Sequence, residues 1–197
     1  MPEATNIADQ PSQSQKYVSD NYDLTILIRD CIAENRGAQQ KLYDLYAPAA
    51  WGVVKRYFYN DEHAAQEILN DAFYKVLTKL KLYSFQGAFE GWIRRIVVNT
   101  ITDHLRRNLK DDLKHKEVQP EDAFVNSESV EKISHKELLR LIQTLPDAQR
   151  AVFNLFVMED YPHKEIGALL NMTENNSRWY LNDARRRLKE KISFINK

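Results

Sequence analysis

The stretch that decides the fold runs from Tyr161 to Ile192, YPHKEIGALLNMTENNSRWYLNDARRRLKEKI. Ile166, Leu169 and Leu170 recur at helical spacing after Pro162, which predicts a short amphipathic helix. Asn171 follows where the chain must turn sharply, and Asn tolerates a left-handed backbone better than any residue but Gly. Gly167 leaves room where a neighbouring helix would press close. Thr173 suits the cap of a second helix, anchored by Trp179 or Tyr180, Leu181, Ala184 and Leu188. Near that helix's exposed amino half lie Asn175, Asn176, Ser177, Arg178 and Asn182. Arg matches guanine and Asn matches adenine, so this set suits base edges in a major groove. Arg185, Arg186, Arg187 and Lys189 come next, where phosphates could be met. Trp179 reads as packing rather than base contact. A basic last helix is often only a solvated face, so the rest of the chain has to decide.

That chain has 197 residues, room for one large domain or two small ones. Five Gly and six Pro fit long helices better than turn-rich sheets. The formal charge is zero, which argues against a polybasic coat and leaves only local patches for nucleic acid. A single cysteine, Cys31, excludes an internal disulfide and a cysteine metal cage. The five histidines show no paired-ligand spacing, and no phosphate-cradling Gly-rich loop occurs, so an enzyme is not expected and no cofactor is implied. The amino end, MPEATNIADQPSQSQ, lacks the basic and apolar parts of a signal peptide, and no run suits a membrane span. The expectation is a cytoplasmic, all-α protein.

Its organisation reads as four parts. Residues 1–18, rich in Gln, Ser, Pro and Asn, predict a flexible tail. Residues 19–108 predict a first helical domain. Leu24, Leu27, Ile28 and Cys31 share one face, Arg36-Gly37 predicts a break, and Pro48 predicts a kink or a restart of the next helix. Asn60 and Asp61 suit a helix start, with Ala65, Ile68, Ala72 and Val76 as the stripe and Leu69, Phe73, Leu77 and Leu80 widening it. Ser84 to Gly87 reads as a loop. In the following helix Ile93, Val97, Ile101 and Leu105 step by four on the buried side, and Arg95, Asn99, Asp103 and Arg107 on another. Residues 109–131 lose periodicity and gather acids, which predicts a flexible acidic linker. Residues 132–197 predict the second domain, with the helix-turn-helix at its end.

Phe89-x-x-Trp92-Ile93-x-x-Ile96-x-x-Asn99-x-x-x-Asp103-x-x-Arg106-Arg107 resembles the promoter-melting helix of bacterial RNA polymerase sigma factors. Leu145-Pro146, Arg150, Phe153, Lys164-Glu165-Ile166-Gly167, Leu170, Leu181, Ala184-Arg185 and Leu188 are similar to the second domain of the extracytoplasmic function (ECF) group of that sigma-70 family. The likeness runs from about Leu24 to Ile192, broken only by the linker. It implies that the helix with Glu67, Asn70, Asp71 and Phe73 binds core RNA polymerase. It also implies that the first domain engages the −10 promoter element and the second reads the −35 element as duplex. An anti-sigma protein is the further partner implied.

The residues of the first domain agree with that reading. Holding single-stranded bases needs aromatic and amide groups beside a cationic track. Tyr83, Phe85 and Gln86 in the loop, with Arg95, Asn99, Asp103, Arg106 and Arg107 on the helix, supply those chemistries. Trp92 reads as core. For the −35 element the candidates are Asn175, Asn176, Ser177, Arg178, Asn182, Arg185 and Arg186. Departures occur at Glu67-x-x-Asn70, where Asp-x-x-Gln is usual, and at Asn171, where Gly is usual. Ser177 replaces an aliphatic residue and Asp183 a commonly basic one. The alternative is a stand-alone helix-turn-helix regulator with a sensing or dimerising amino-terminal domain, but it leaves the Arg94–Arg107 face without a use.

Overall fold

The computed structural model describes residues 13–108 and 135–195, and among them there are helices and turns but no strand. The first unit holds α1 (Gln13–Ile32), α2 (Arg36–Tyr57), α3 (Glu62–Lys79) and α4 (Phe89–Asn108), with a short 3-10 turn at Leu80–Leu82. The second holds α5 (His135–Gln143), α6 (Asp147–Phe153), α7 (His163–Leu170) and α8 (Glu174–Ile195). A π-helical turn, Asn154–Met158, continues α6. The described residues begin inside the expected tail, where α1 is helical from Gln13. The expected acidic linker, 109–131, lies outside the described residues.

In the first unit α2, α3 and α4 pack on one another and α1 closes over α2. Ile28, Leu42, Val54, Ile68, Val76, Val97 and Ile101 form its centre. The expected break between α1 and α2 falls just before Arg36. Asn35 is the N-cap, accepting from the Ala38 amide at 3.1 Å, so Arg36 and Gly37 start the helix. First-turn amides have no intrahelical partner anyway. Pro48 sits inside α2, so the helix does not restart there; it forfeits one bond while Ala47, Ala50, Val53 and Val54 bury on the core side. Asp61 caps α3 as expected, accepting from Ala64 at 2.9 Å.

In the second unit α6 and α7 pack on α8 around Ile142, Val152, Leu155, Ile166, Leu170 and Ala184. The turn between α7 and α8 follows the sequence reading closely. Asn171 is left-handed at φ 56°, ψ 48°. A Cβ on Gly167 would lie 2.8 Å from the Met172 carbonyl oxygen, so nothing larger than hydrogen fits without a backbone shift. Thr173 accepts the Asn176 amide at 3.1 Å and caps α8. The two units also touch each other. Helix α7 lies against α4, and α5 and α6 lie against α2.

Candidate nucleic-acid interface

The loop before α4 is built on Tyr83, which is 8% exposed and so is not a free contact as expected. Its ring packs on Phe89 and Trp92, and its hydroxyl donates to the Gly87 carbonyl at 2.8 Å. Tyr83 is a support. What it supports is Phe85, 4.9 Å away between ring centroids, half exposed and held at φ 57°. A left-handed aromatic is uncommon and costs energy. Gln86 beside it is exposed. Trp92 stacks on Phe89 and is partly buried, in line with a packing role.

Along α4 the exposed face carries Arg94, Arg95, Asn99, Arg106 and Arg107. The Asn99 side chain is exposed and makes no hydrogen bond to another described residue. Asp103 is different, because it organises its neighbours. It pairs with Arg106 at 2.7 Å and with Lys75 of α3 at 3.4 Å, and its carbonyl accepts from Arg107. At the amino half of the same face, Arg94 holds Glu159 of the second unit at 2.6 Å, and that hydrogen bond raises the guanidinium further above its ordinary value. Arg95 reaches the Tyr161 phenol, whose own ionisation burial pushes up.

On α3, Glu67, Asn70 and Asp71 are exposed and share a face. Phe73 does not belong with them. It is 3% exposed and packs on Tyr43 at 4.7 Å, so it serves the core as the helical stripe already implied. Tyr74 is the aromatic of the exposed face, at 70% exposure, four residues after Asn70 and three after Asp71. That spacing was the signal that could have found it.

Helix α8 presents Asn175, Arg178, Arg185 and Arg186 outward, with Asn176 and Asn182 partly covered. Ser177 is fully buried and therefore not a base contact. Its hydroxyl bonds the His163 ring at 2.9 Å and fixes the register of α8 on α7, which explains a polar residue where an aliphatic one was expected. Burial first, and Arg178 next, press the His163 pKa down. Asp183 is buried too. Burial pushes its carboxyl up, but hydrogen bonds from Arg187, Gln149 and Arg186 outweigh that and hold it low. The distances are 2.7 Å to Arg187, 2.8 Å to Gln149 and 2.5 Å to Arg186. Arg178 pairs with Glu174, and Arg185 lies over the Phe156 ring. Trp179 is partly buried and packs edge-on against Tyr180.

Comparison with known proteins matches this architecture in both halves. The family description "Sigma-70 region 2" matches residues 42–110, and "Sigma-70, region 4" matches 135–188, together more than half of the chain. The ECF RNA polymerase sigma factor SigE of Mycolicibacterium smegmatis is 27% identical over 141 residues, which are 68% of this chain and 53% of that protein. Thus the chain spans about half the length of that relative. SigM of Bacillus subtilis is 25% identical over 66% of this chain and 80% of its own, and SigW of the same organism 24% over 77% and 87%. Among solved structures, the sigma factor RpoE in complex with the anti-sigma factor NepR from Bartonella quintana aligns at TM-score 0.47 and 15% identity, over 80% of this chain and 98% of that one. CnrH in complex with the cytosolic domain of CnrY aligns at TM-score 0.44 and 17% identity, over 85% and 96%. Among the described residues no helix is long and apolar enough to cross a membrane. With region 2 and region 4 matched in order, and ECF sigma factors as its relatives, the chain belongs to the sigma-70 family, in its ECF group.

Proposed function

We propose that the chain binds core RNA polymerase, directs it to promoters and helps open them, without catalysis of its own. The first unit takes the −10 element and the second the −35 element. The observation that carries this is the pairing of two unlike surfaces in one chain. One is a propped aromatic at the start of an amide-and-arginine helix, and the other a capped helix-turn-helix with Asn and Arg at its exposed start.

Their chemistry divides the work. Phe85 offers a face on which an unpaired base stacks, a contact of about 1–3 kcal/mol. Gln86 and Asn99 offer amides to base edges, and Arg95, Arg106 and Arg107 offer charge to the strand's phosphates. Asp103 holds Arg106 in place and is a positioning residue. On α8, Asn175, Asn176, Arg178 and Asn182 are the base-edge candidates, with Arg185 and Arg186 toward phosphate. Glu67, Asn70 and Asp71, with Tyr74 replacing Phe73 as the aromatic, make the surface offered to core polymerase. The same reading includes a dissociable anti-sigma protein, tested by its competition with core enzyme for the chain.

The deciding experiment is run-off transcription from genomic fragments with core polymerase, with and without the chain. Start sites that depend on the chain are expected. Failure on every promoter of its own regulon would overturn the proposal.

A further inference from the structure

Lys75 is a cation of α3 that turns away from its neighbours. Asp71 and Tyr74, four and one residues before it, belong to the exposed face of that helix, whereas Lys75 is partly buried and reaches α4. Its ammonium donates to the Thr100 hydroxyl at 3.2 Å and lies 3.4 Å from the Asp103 carboxylate. Thr100 is buried and uses its own proton on the Ile96 carbonyl at 2.9 Å, so toward Lys75 it only accepts. Thr100 and Asp103 are three residues apart, on one turn of α4. A cation bound to both holds that turn in one register against α3.

The Asp103 carboxylate uses its two oxygens in different directions. Oδ2 faces Lys75, and Oδ1 accepts from the Arg106 guanidinium at 2.7 Å. Alone, an exposed Asp–Arg pair three residues apart on one helix is weak and exchanges freely with water. Held from α3, the same carboxylate keeps one orientation, and Arg106 follows it. The charges point the same way. A carboxylate beside a phosphate-binding arginine cancels part of the charge that the phosphate needs and repels the phosphate itself. Lys75 offsets that carboxylate, so Lys75, Asp103 and Arg106 together stay cationic.

We propose that Lys75 is a positioning residue for promoter opening: through Asp103 it sets the place of Arg106 and leaves the guanidinium's charge available to a strand phosphate. Lys75 itself touches neither the strand nor polymerase. Because α3 is the helix offered to core polymerase, Arg106 is set from the element that the enzyme holds. The inference rests on the proposed −10 role of α4.

The experiment uses the full chain with core polymerase on a promoter found by run-off transcription. Permanganate reactivity of unpaired thymines reads opening, and titration of the chain with core reads assembly. Lys75→Gln is expected to lower opening about fivefold with core affinity unchanged, since a charge-assisted contact of Arg106 is weakened and not removed. Arg106→Ala is expected to lower it about tenfold. The deciding comparison joins the two: in the Arg106→Ala chain, Lys75→Gln is expected to change opening by less than about twofold, because its route is gone. Normal opening by Lys75→Gln overturns the proposal. A full further loss on top of Arg106→Ala also overturns it and makes Lys75 an independent contact. An equal fall in core affinity overturns it as well and puts Lys75 on the polymerase surface. Thermal melting shows whether Lys75→Gln folds; where it does not, Asp103→Asn takes its place with the same expected outcomes. Failure of the sigma reading itself appears separately, as absent run-off transcription by the unsubstituted chain.

Discussion

In α8, Arg178, Arg186 and Arg187 find their acids within four residues on the same helix, at Glu174, Asp183 and Glu190. In α4, Arg106 does the same with Asp103, but Arg94 depends on Glu159, sixty-five residues further along the chain and in the other unit. Local pairs persist whatever the two units do, and a long-range pair does not. The second unit thus carries a reading surface whose charges are arranged from within, while half of the α4 surface is set by how the units sit together. The exposed local pairs contribute little stability, about 0–1 kcal/mol each, so their main effect is on where the guanidiniums point.

The strongest way to break this comparison is Gly167→Ala. Its Cβ would meet backbone 2.8 Å away, not a yielding side chain, so the α7–α8 turn must open. A loss of about 1–3 kcal/mol is expected, read by thermal melting, with duplex binding lost and the α4 surface intact. If oligonucleotide binding at α4 fell equally, the two surfaces would not be independent. Asn99→Ala comes next. It is expected to lower promoter opening with core polymerase about tenfold, equivalent to roughly 1.4 kcal/mol, while the affinity for core stays unchanged. A variant that mainly unfolds would place Asn99 in the fold rather than on DNA. Asp183→Asn sharpens the other side. Loss of about 1 kcal/mol is expected from weakened bonds to Gln149, Arg186 and Arg187. Freed arginines should also bind duplex less selectively, with a steeper dependence on salt.

Set beside the structure, some features were legible in the sequence and others were not. Asn171, Gly167 and Thr173 were legible because each answers a local demand, for a left-handed turn, a close approach and a cap. The stripes of α3 and α4 were legible for the same reason, from spacing. Phe73, Tyr83 and Ser177 were misplaced because each sits at the border of a helical stripe, where one step of rotation separates core from surface. Phe73 even belonged to two readings, and packing on Tyr43 chose between them. Ser177 looked polar and therefore outward, but His163, fourteen residues earlier, satisfies it inside. The pairing of Glu159 with Arg56 and Arg94 was beyond reach of any periodicity, since these partners come from α2 and α4 and its burial depends on two units meeting.

The smallest expected effect concerns pH, and it lies at the seat of α8 on α7. His163 stacks on Phe156, bonds Ser177 and faces Arg178, Glu174 and Arg185. Its pKa is lowered in the folded chain, so folding favours the neutral ring. Stability from this group is complete above the ordinary histidine value near 6.5 and is lost as the pH falls through the lower folded value. Mild acid should therefore loosen the seat of α8 on α7, seen as faster hydrogen exchange in both. His163→Gln is expected to flatten that slope between about pH 7 and pH 5. A slope that survives the substitution would assign it to other groups, and the register of α8 would then rest on Asp183 and its partners rather than on the His163–Ser177 bond.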